Sequence, residues 1–397
     1  MRPCWWTDMK ICVVTTGFPR WAGDGQCAFV WEAARAVARQ GLQVRVVAMH
    51  SPEARTHEYI EGIEVIRPRY WWPERWEILR KEGAAGLPAT WRKYPLGRFQ
   101  IVPFILVHTL VTTRCALACD LIHAHWTLSA AAACIGQWIH HAPILVTLQG
   151  SDIFQVTRHP VGAWLTRKVL QRCDRITALS QALKRATAAI GIQPDKIQII
   201  PNGVDTARFT PPPVNEDRED LILYVGSFIE RKGVKYLLLA MPEVFRSLPQ
   251  YRLVLAGEGP QYLPLRQLAK DLGIVERVTF LGFQPQDQIR TWMQRAKLLV
   301  LPSLEEALGV VLLEALACGT PIVASRVDGI KEVVTSDVGI LVPPADPVAL
   351  SGAIQSILEN PQQWADMSHH ARGRAVMYYD WDRIASQYIA LYQSMTG

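Results

Sequence analysis

The sequence predicts an α/β protein made of two doubly wound domains, each a parallel sheet with helices on both faces. Its 397 residues suffice for two to three domains of about 150 residues. Short β-branched runs alternate with amphipathic helical segments along the whole chain, as in parallel sheets. The run 202–214 interrupts this alternation with turn-forming residues and three consecutive prolines. It therefore marks the join between the domains.

The predicted elements follow in order. Strands in the first half are expected at 10–15, 43–48, 120–124, 144–148, 175–178 and 197–200, with helices at 29–40 and 180–190. Strands in the second half are expected at 221–225, 252–256, 278–281, 298–301, 321–324 and 340–342. An apolar-faced helix over 381–395 ends the chain. The predicted domains are 1–205 and 206–378, with the segment 379–397 packing back on the first domain.

Composition excludes several classes of protein. Hydrophobic residues make up 49% and charged residues 20%, which is globular usage. The eight cysteines are scattered without zinc-binding or disulfide spacing, which indicates free thiols in a reducing compartment. The N-terminal residues lack the apolar run of a signal peptide. The longest apolar stretch, 101–111, contains Pro103 and His108 and is shorter than a bilayer requires. These features predict a cytoplasmic protein, soluble or peripheral on the inner face of the membrane.

Charge is divided unequally. The net charge is +6, but residues 1–205 carry 24 Lys+Arg against 15 Asp+Glu, and the remainder carries 18 against 21. Much of the basic excess lies in 67–98, with eight basic residues, three acidic residues and the tryptophans Trp71, Trp72, Trp76 and Trp91. This segment is either a surface insertion with a few buried aromatics or a surface for anionic lipid or a phosphorylated acceptor. Single-stranded nucleic acid is disfavoured as a partner because no nucleic-acid module accompanies the segment.

The strongest chemical motif contains Glu306 and Glu314. A strand precedes Glu306, and the helix that follows contains Glu314 in an apolar run, where an unpaired carboxylate would be costly. The amides of Ala307, Leu308, Gly309 and Val310 at the start of this helix suit an anion such as a diphosphate. Taken alone, two glutamates eight residues apart are usually solvated helix charges. The apolar surroundings of Glu314 favour a buried partner or a ligand.

The pattern Pro302-Ser-x-x-Glu-x-x-Gly-x-x-x-x-Glu-Ala-x-Ala-x-Gly-x-Pro-Ile-Val-Ala resembles the signature of the nucleotide-sugar-dependent glycosyltransferases of family 4. Further motifs occur in the family's order at 201–209, 224–226, 231–233, 256–260 and 280–283. The resemblance implies the GT-B fold, two Rossmann-like domains facing across a cleft. It further implies transfer with retention of configuration, with the donor on the second domain and the acceptor on the first.

The resemblance also implies roles for individual residues. Glu306 would hold the transferred sugar, and Glu314 would bind the nucleotide ribose. Lys232 would neutralise the donor diphosphate in place of a metal, a large electrostatic contribution. Ser227 occupies a place where the family usually has an arginine, and Arg231 is the expected substitute. Without the resemblance, residues 231–232 would be interpreted as an exposed basic turn.

The remaining site residues are divided between the domains. Donor contacts in the second domain are expected at Gly226, Ser227, Gly257, Gly259 and Phe283. Donor or acceptor contacts in the first domain are expected at Gly23, Gly25, Ser151 and Asp152. The resemblance implies that His125 is the catalytic histidine near the transferred sugar. His125 ends a predicted strand, where ligands gather in doubly wound sheets. The alternatives are ordinary ones: a flexible glycine loop, a structural strand histidine, and a helix cap at Asp152.

No metal or cofactor is expected beyond a UDP- or GDP-linked sugar. Asp380-Trp-Asp382 has the DxD spacing of metal-dependent glycosyltransferases, but it opens the last helix and is interpreted as a cap. The predicted activity is sugar transfer to a glycan or lipid-linked acceptor, in cell-surface polysaccharide or glycolipid synthesis. The alternatives are a sugar-nucleotide 2-epimerase of the same architecture and a non-catalytic GT-B subunit.

Overall fold

The computed structural model describes residues 9–21, 24–25, 27–79, 94–213 and 217–396. The chain forms two compact units. The first comprises Met1–Asn202 together with Trp381–Gly397, and the second comprises Gly203–Asp380. Each unit is built on its own sheet, and both sheets are predominantly parallel. The predicted fold class, α/β with two doubly wound domains, is confirmed.

The first unit contains an eight-stranded sheet in the order β3-β4-β2-β1-β5-β6-β7-β8. Its strands are β1 Lys10–Thr15, β2 Gln43–Ala48, β3 His57–Ile60, β4 Ile63–Ile66, β5 Leu121–His125, β6 Ile144–Leu148, β7 Arg175–Ala178 and β8 Ile197–Ile199. All neighbours are parallel except β3 and β4, which form an antiparallel hairpin at the edge. The expected strands are present within a residue or two.

The hairpin β3–β4 was not predicted. Its turn is Glu61-Gly62, and both residues have positive φ, at 47° and 83°. A two-residue turn of this kind matches the twist of a hairpin and favours glycine at its second position. The Glu-Gly pair between His57–Ile60 and Ile63–Ile66 was therefore the sequence signal for it.

The helices of the first unit cover both faces of its sheet. They are α1 Ala28–Arg39, α2 Ile101–Ala116, α3 Thr127–His140, α4 Ser151–Phe154, α5 Pro160–Arg172, α6 Gln181–Ala189 and α14 Trp381–Thr396. Alternate strand residues such as Ile11 and Val13 share one buried cluster with α1 and α14. Because successive strand side chains point to opposite faces, α2 and α3, which pack on β1 but lie outside that cluster, cover the other face.

Helix α14 completes the core of the first unit. Trp381, Ile384 and Tyr388 are buried in the cluster formed with α1 and the sheet. The hydroxyl of Tyr392 lies 2.7 Å from Nδ1 of His123 on β5. The last helix is therefore an integral part of this unit, although the whole second unit, Gly203–Asp380, precedes it in the chain.

The second unit contains a six-stranded, fully parallel sheet in the order β11-β10-β9-β12-β13-β14. Its strands are β9 Glu219–Val225, β10 Arg252–Ala256, β11 Val278–Gly282, β12 Ala296–Leu301, β13 Ile322–Ser325 and β14 Gly339–Val342. Its helices are α7 Val234–Ser247, α8 Tyr262–Asp271, α9 Gln286–Arg295, α10 Val310–Ala317, α11 Asp328–Val333, α12 Pro347–Leu358 and α13 Pro361–Arg374. Strand order reverses between β9 and β12, and ligands of such sheets bind beyond the carboxyl ends at this point.

The apolar stretch 101–111 was expected to be shorter than a bilayer requires, and this expectation about its length is wrong. The helical run is longer than 101–111: a 3₁₀ segment, Pro95–Gln100, leads directly into α2. Pro103 does not break it because a proline in the first helical turn lacks only an amide that has no helical partner. Within the described residues, Pro95–Ala116 alone has the length and apolar composition to cross a membrane. Core helices of soluble proteins have the same length and composition.

Candidate functional site

The carboxyl edge of the second sheet collects most of the predicted donor residues. Gly226 and Ser227 directly follow β9, and Gly257 and Gly259 directly follow β10. Phe283 follows β11, and the loop 302–309 connects β12 to α10. Residues far apart in the sequence therefore meet at the reversal point of the sheet, as parallel strand order requires.

Lys232 and Glu306 form an ion pair at this edge. The ammonium of Lys232, at the end of the 3₁₀ turn Glu230–Lys232, contacts Oε2 of Glu306. Ser303 Oγ lies 3.5 Å from the same carboxylate oxygen. The two loops are also joined through the backbone, since the amide of Leu304 donates to the carbonyl of Arg231 at 2.7 Å. Both charges lie mostly out of solvent, with 16% and 11% of their side chains exposed.

The loop containing Glu306 packs closely on α11. A Cβ atom at Gly329 would lie 2.3 Å from the Glu306 carbonyl oxygen and 2.4 Å from the Ala307 backbone. Only glycine allows the loop to lie this close to the helix. The position of the Glu306 carboxylate is consequently fixed by the packing of its backbone on Gly329 and by the contact of its side chain with Lys232.

The start of α10 offers unused hydrogen-bond donors. Within the described residues, no acceptor is bonded to the backbone amides of Ala307, Leu308, Gly309 or Val310. The amide of Leu312 is the first in this stretch to donate, to the Gly309 carbonyl at 2.9 Å. Free amides at a helix start attract anions, and Lys232 neighbours them through its contact with Glu306.

Glu314, on α10, belongs to a separate hydrogen-bonded chain. Its Oε1 accepts from Nε2 of Gln286 at 3.2 Å, and Oε1 of Gln286 accepts from Arg208 Nη1 at 2.9 Å. Burial raises the pKa of Glu314 to about 7, and hydrogen bonding by Gln286 and the charge of Arg208 oppose this rise. The carboxylate therefore has a positioned partner, as its apolar surroundings required.

The glycine corner after β10 brings two loops into contact. Gly257 has a φ of 154°, and a Cβ atom there would lie 1.9 Å from the Gly226 carbonyl oxygen. Gly259 is equally constrained, its Cβ position lying 2.5 Å from a backbone oxygen. Phe283 projects beside this corner with 52% of its surface exposed. Its amide donates to Oε1 of Glu258 at 3.2 Å.

Ser227 makes its hydrogen bonds through its backbone carbonyl, whereas the feature of interest at Arg231 is its guanidinium. The Ser227 carbonyl accepts from the hydroxyl of Tyr224 at 3.2 Å and from the amide of Ile229 at 3.0 Å. Arg231 has no carboxylate at ion-pairing distance among the described residues. An unpaired guanidinium next to Lys232 fits the expected substitution for the family's arginine. Tyr224 was not predicted; burial, with the charge of Glu306, raises the pKa of its hydroxyl.

In the first unit, His125 ends β5 and is almost fully buried. Its Nδ1 lies 3.1 Å from Nε2 of Gln149, and its ring centroid lies 4.4 Å from that of His123. Burial lowers the pKa of His125 to about 3, so the imidazole is neutral at physiological pH. His123 is hydrogen-bonded through both nitrogens, to Tyr392 and Thr147, each at 2.7 Å. It is therefore a structural residue.

Ser151 and Asp152 follow β6, the strand that pairs with β5, which His125 ends. Ser151 Oγ accepts from the indole nitrogen of Trp126 at 3.3 Å, and Asp152 Oδ1 accepts from the amide of Gln149 at 3.2 Å. Burial raises the pKa of Asp152 to about 6, opposed by hydrogen bonds from backbone amides. Asp152 lies in the first turn of α4 and Gly150 occupies the cap position, so the alternative of a cap at Asp152 is wrong.

Two predicted regions are only partly described. Gly25 is exposed in the loop before α1, whereas Gly23 lies outside the described residues. In the segment 67–98, residues 80–93, which include Trp91, also lie outside them. Arg67 is buried, contacts Glu58 at 2.6 Å and donates to the Pro19 carbonyl at 2.8 Å. The prediction that Arg67 belongs to an exposed basic surface is wrong, because the side chain is buried and its charge is paired with Glu58.

The aromatic side chains of the same segment have two different environments. Trp71 is half-buried against a cluster that includes Tyr70 and Phe104. Trp72 and Trp76 are exposed, with 87% and 57% of their surfaces accessible. The segment therefore contains both a half-buried aromatic residue, Trp71, and exposed aromatic residues, Trp72 and Trp76.

The aspartates of the DxD motif make protein contacts. Asp380 Oδ2 accepts from Thr206 Oγ1 at 2.5 Å, and Asp382 pairs with Arg39 at 2.8 Å. In the part of the chain that the structure describes, no group of three or more His, Cys, Asp or Glu side chains is arranged to hold a metal ion.

Comparison with known proteins agrees with this architecture. The family "Glycosyltransferase Family 4" matches residues 23–208, and "Glycosyl transferases group 1" matches residues 206–374. Glycogen synthase of Mycobacterium tuberculosis is 30% identical over 287 residues, which cover 69% of this chain and 68% of that protein.

Two solved structures have the same fold. Sucrose-phosphate synthase from Thermosynechococcus elongatus has a TM-score of 0.77 at 24% identity, covering 97% of this chain and 98% of that chain. HepE of Anabaena, solved in complex with UDP and glucose, has a TM-score of 0.74 at 20% identity, covering 97% and 100%.

The two parallel-sheet units have the GT-B fold. The two family matches together extend from residue 23 to residue 374. The chain belongs to glycosyltransferase family 4.

Proposed function

We propose that the protein is a metal-independent, retaining hexosyltransferase that uses a UDP- or GDP-linked sugar. Its acceptor would be a glycan or a lipid-linked glycan, in cell-surface polysaccharide or glycolipid synthesis. The observation that carries the proposal is the Lys232–Glu306 ion pair beside the free amides of 307–310. A cation and four amide donors suit a diphosphate, and a carboxylate suits sugar hydroxyls.

The donor is assigned to the carboxyl edge of the second sheet. The diphosphate binds the amides of 307–310 together with Lys232 and the unpaired Arg231. Glu314 accepts hydrogen bonds from the ribose hydroxyls, held in place by Gln286. The glycine corner at Gly257 leaves room for the base, which packs near the exposed ring of Phe283. The structure of HepE with UDP and glucose supports a nucleotide-sugar donor by analogy.

Donor binding changes the partner of Lys232. In the structure its ammonium contacts the Glu306 carboxylate. A bound diphosphate presents more negative charge, so the ammonium moves to the phosphate oxygens and the Glu306 carboxylate becomes free to accept from sugar hydroxyls. The same cation then stabilises the charge that develops on the leaving nucleoside diphosphate, a preorganised electrostatic contribution.

The transfer step needs no protein nucleophile. The bond between the anomeric carbon and the phosphate oxygen breaks, and the acceptor oxygen bonds to the same face of the sugar. The acceptor proton passes to the departing phosphate, so charge and atoms balance. The first unit contributes His125, which is neutral and hydrogen-bonded to Gln149, and Asp152, whose raised pKa places its titration near neutrality. We assign them to contacts with sugar or acceptor hydroxyls, together with Ser151.

Thermal-shift measurement with UDP-, GDP- and ADP-sugars tests the donor assignment, because a ligand that binds only the folded state raises its stability. We expect one nucleotide series to raise the melting temperature, with the shift lost in Glu306→Ala and Lys232→Ala. Lys331→Ala, at an exposed lysine of the same unit, is the matched control. Incubation without acceptor tests the alternative enzyme: a 2-epimer product would contradict transfer. Unchanged transfer in both site variants would contradict the site.

The cellular location follows from the substrates. We propose that the protein acts in the cytoplasm, where nucleotide sugars are made, on an acceptor carried at the inner face of the membrane. Fractionation of cells tests this: recovery in the cytosolic and membrane-associated fractions supports it, and recovery outside the cytoplasm would contradict it.

A further inference from the structure

Three neighbouring helices of the first unit expose a broad apolar surface to solvent. Helix α3 packs against both α2 and α5, so the three form one layer over the sheet. Large apolar side chains on the outside of this layer are more than half exposed, among them Leu106, Leu110, Trp138, Ile139, Trp164 and Leu165. We call this layer the three-helix surface. Soluble monomers rarely expose a contiguous apolar area of this kind without a partner.

Helix α2 shows that the exposure is systematic. Apolar exposed residues recur at intervals of three or four along it and the preceding turn, at Leu96, Phe99, Val102, Leu106 and Leu110. Such spacing places them on one face of a helix. The opposite face is buried in the unit through Phe104, His108 and Thr112. A helix at an ordinary protein surface has polar residues on its outer face, whereas α2 is apolar on both.

The charged side chains of the three helices themselves are of one sign. The segments 95–117, 127–141 and 160–172 contain no aspartate or glutamate. Arg98, Arg114, Lys168 and Arg172 are exposed on them, and no carboxylate of the described residues lies within ion-pairing distance of these four. An apolar surface bordered by unpaired cations is complementary to an apolar layer covered by anions.

We propose that the three-helix surface docks this protein on a bilayer containing anionic phospholipid. The apolar side chains enter the headgroup boundary, the indoles of Trp138 and Trp164 lie at headgroup depth, and the basic residues contact lipid phosphates. A second copy of the chain fits less well, because pairing would bring two cationic borders together. Helix α2 lies on the membrane and does not cross it, since Phe104 and His108 are committed to the core.

This inference goes beyond the proposed sugar transfer and does not depend on it. The surface belongs wholly to the first unit, whereas the proposed donor residues at the sheet edge belong to the second. Loss of vesicle binding and loss of donor binding are therefore separable by variants in different units.

Co-sedimentation with vesicles tests the proposal. We expect the protein to bind phosphatidylcholine vesicles only when they contain phosphatidylglycerol, and to bind more weakly at about 0.5 M salt than at about 0.05 M. The double variant Leu106→Glu/Trp138→Glu should lower the partition coefficient about tenfold or more, because two charges enter the apolar contact. Val348→Glu, at an 80% exposed position of the second unit, is the matched control and should bind as the unmodified protein does.

Two further variants separate the parts of the surface. Arg114→Gln/Lys168→Gln should lose most of the preference for anionic vesicles. Trp138→Phe should lose part of the fluorescence quenching by lipids brominated in their acyl chains, which reports entry below the phosphates. A UDP- or GDP-sugar thermal shift that persists in all these variants shows that the second unit is intact.

Several results would overturn the proposal. These are absence of binding to anionic vesicles, equal losses in Val348→Glu and in the double variant, and binding insensitive to both lipid charge and salt. A concentration-dependent dimer of the unmodified protein that Leu106→Glu dissociates would assign the surface to a second copy. Saturable binding of an acidic protein that excludes vesicles would assign it to that partner.

Discussion

Gln286 on α9 positions the carboxylate of Glu314 on α10 through a hydrogen bond of 3.2 Å between Nε2 and Oε1. Arg208 extends the chain by donating to the other end of the Gln286 amide at 2.9 Å. Burial acts in the opposite direction and raises the pKa of Glu314 to about 7. The neighbours of Glu314 thus orient its carboxyl group, which is proposed to bind the ribose, while burial disfavours the ionised form of that group.

The first prediction concerns the stability of Glu314→Gln. The ordinary pKa of this side chain is near 4.5, so between pH 4.5 and 7 the folded protein holds a proton that the unfolded chain has released. Stability is therefore lost as pH rises through this window. The glutamine variant has no such loss, and we expect it to be roughly 1–3 kcal/mol more stable than the unmodified protein at pH 8. Urea unfolding at pH 5 and pH 8 measures the difference.

Donor binding should respond in the opposite sense. The ionised carboxylate is the stronger acceptor, so Glu314→Gln should raise the KM for the donor while it stabilises the fold. Glu359→Gln, at an exposed helix end, is the matched control for the substitution. A variant that is no more stable at pH 8 would show that Glu314 is ionised and solvated in the folded protein.

The second prediction concerns the Lys232–Glu306 pair. Each alanine variant should lower kcat by about 100- to 1,000-fold, because each removes a charge that acts on the donor. Each also leaves the other charge without its partner, so the double variant should be destabilised less than the sum of the two singles, with a coupling of about 0.5–3 kcal/mol. Unfolding of the four proteins measures the coupling free energy.

An exposed pair provides the comparison. Lys331 and Asp328, 3.1 Å apart on α11, should couple by less than about 0.5 kcal/mol. Normal activity in the Lys232/Glu306 double variant would remove both residues from the proposed mechanism.

Much of the fold could be predicted from the sequence because most strands and helices have a local sequence pattern of their own. The strand runs 10–15, 43–48, 144–148 and 252–256 were predicted to the residue, since each is a short apolar run bounded by turn formers. The β3–β4 hairpin was missed because its strands are short and half polar, with burial alternating along each. The length of α2 was missed because only the apolar stretch 101–111 was considered, whereas the helix continues through Thr112, Thr113 and Arg114 to Ala116.

The site was only partly readable, for a different reason. Glu306, Glu314 and Lys232 lie in motifs of fixed local spacing, and the resemblance named them. Their partners are long-range: Gln286 is 28 residues from Glu314, and Arg208 a further 78 from Gln286. No local pattern specifies which side chains the sheet brings together. The ion pair of Lys232 and Glu306 likewise joins residues that are 74 apart in the sequence.

The third prediction concerns Gly257→Ala. The added Cβ would lie 1.9 Å from the Gly226 carbonyl oxygen, and φ at this residue is 154°, a conformation that alanine rarely adopts. Since the obstacle is backbone, it cannot rotate away, and we expect a loss of about 2–4 kcal/mol. The donor-induced thermal shift should fall as well because the corner lies beside the proposed base site. Chemical denaturation and thermal shift measure the two effects.

Gly352→Ala is its matched control with the opposite sign. Gly352 lies within α12, and apart from the local backbone of its own helix no described atom lies within 4 Å of its Cβ position. Alanine should there stabilise the helix by roughly 0.5–1 kcal/mol. Equal effects of the two substitutions would contradict the close contact at the corner.

The fourth prediction concerns His108, a buried histidine on α2. Neither ring nitrogen has a hydrogen-bond partner within the described residues, and the ring stacks on Phe104 at 4.9 Å. Burial lowers the pKa of His108 to about 4, from an ordinary value near 6.5. The unfolded chain therefore takes up a proton first as pH falls below 6.5, and stability declines until the folded protein is protonated near pH 4.

Replacing the imidazole by an apolar side chain removes this dependence. His108→Leu should unfold within about 1 kcal/mol of the unmodified protein at pH 7.5, because no hydrogen bond is lost. At pH 5 it should gain roughly 2 kcal/mol relative to the unmodified protein, the linkage expected for the two pKa values. The difference isolates His108, since Glu314 and Asp152 titrate alike in both proteins. Urea midpoints measured from pH 7.5 to 4.5 test it, and a difference that stays constant over that range would show that His108 is protonated within the fold.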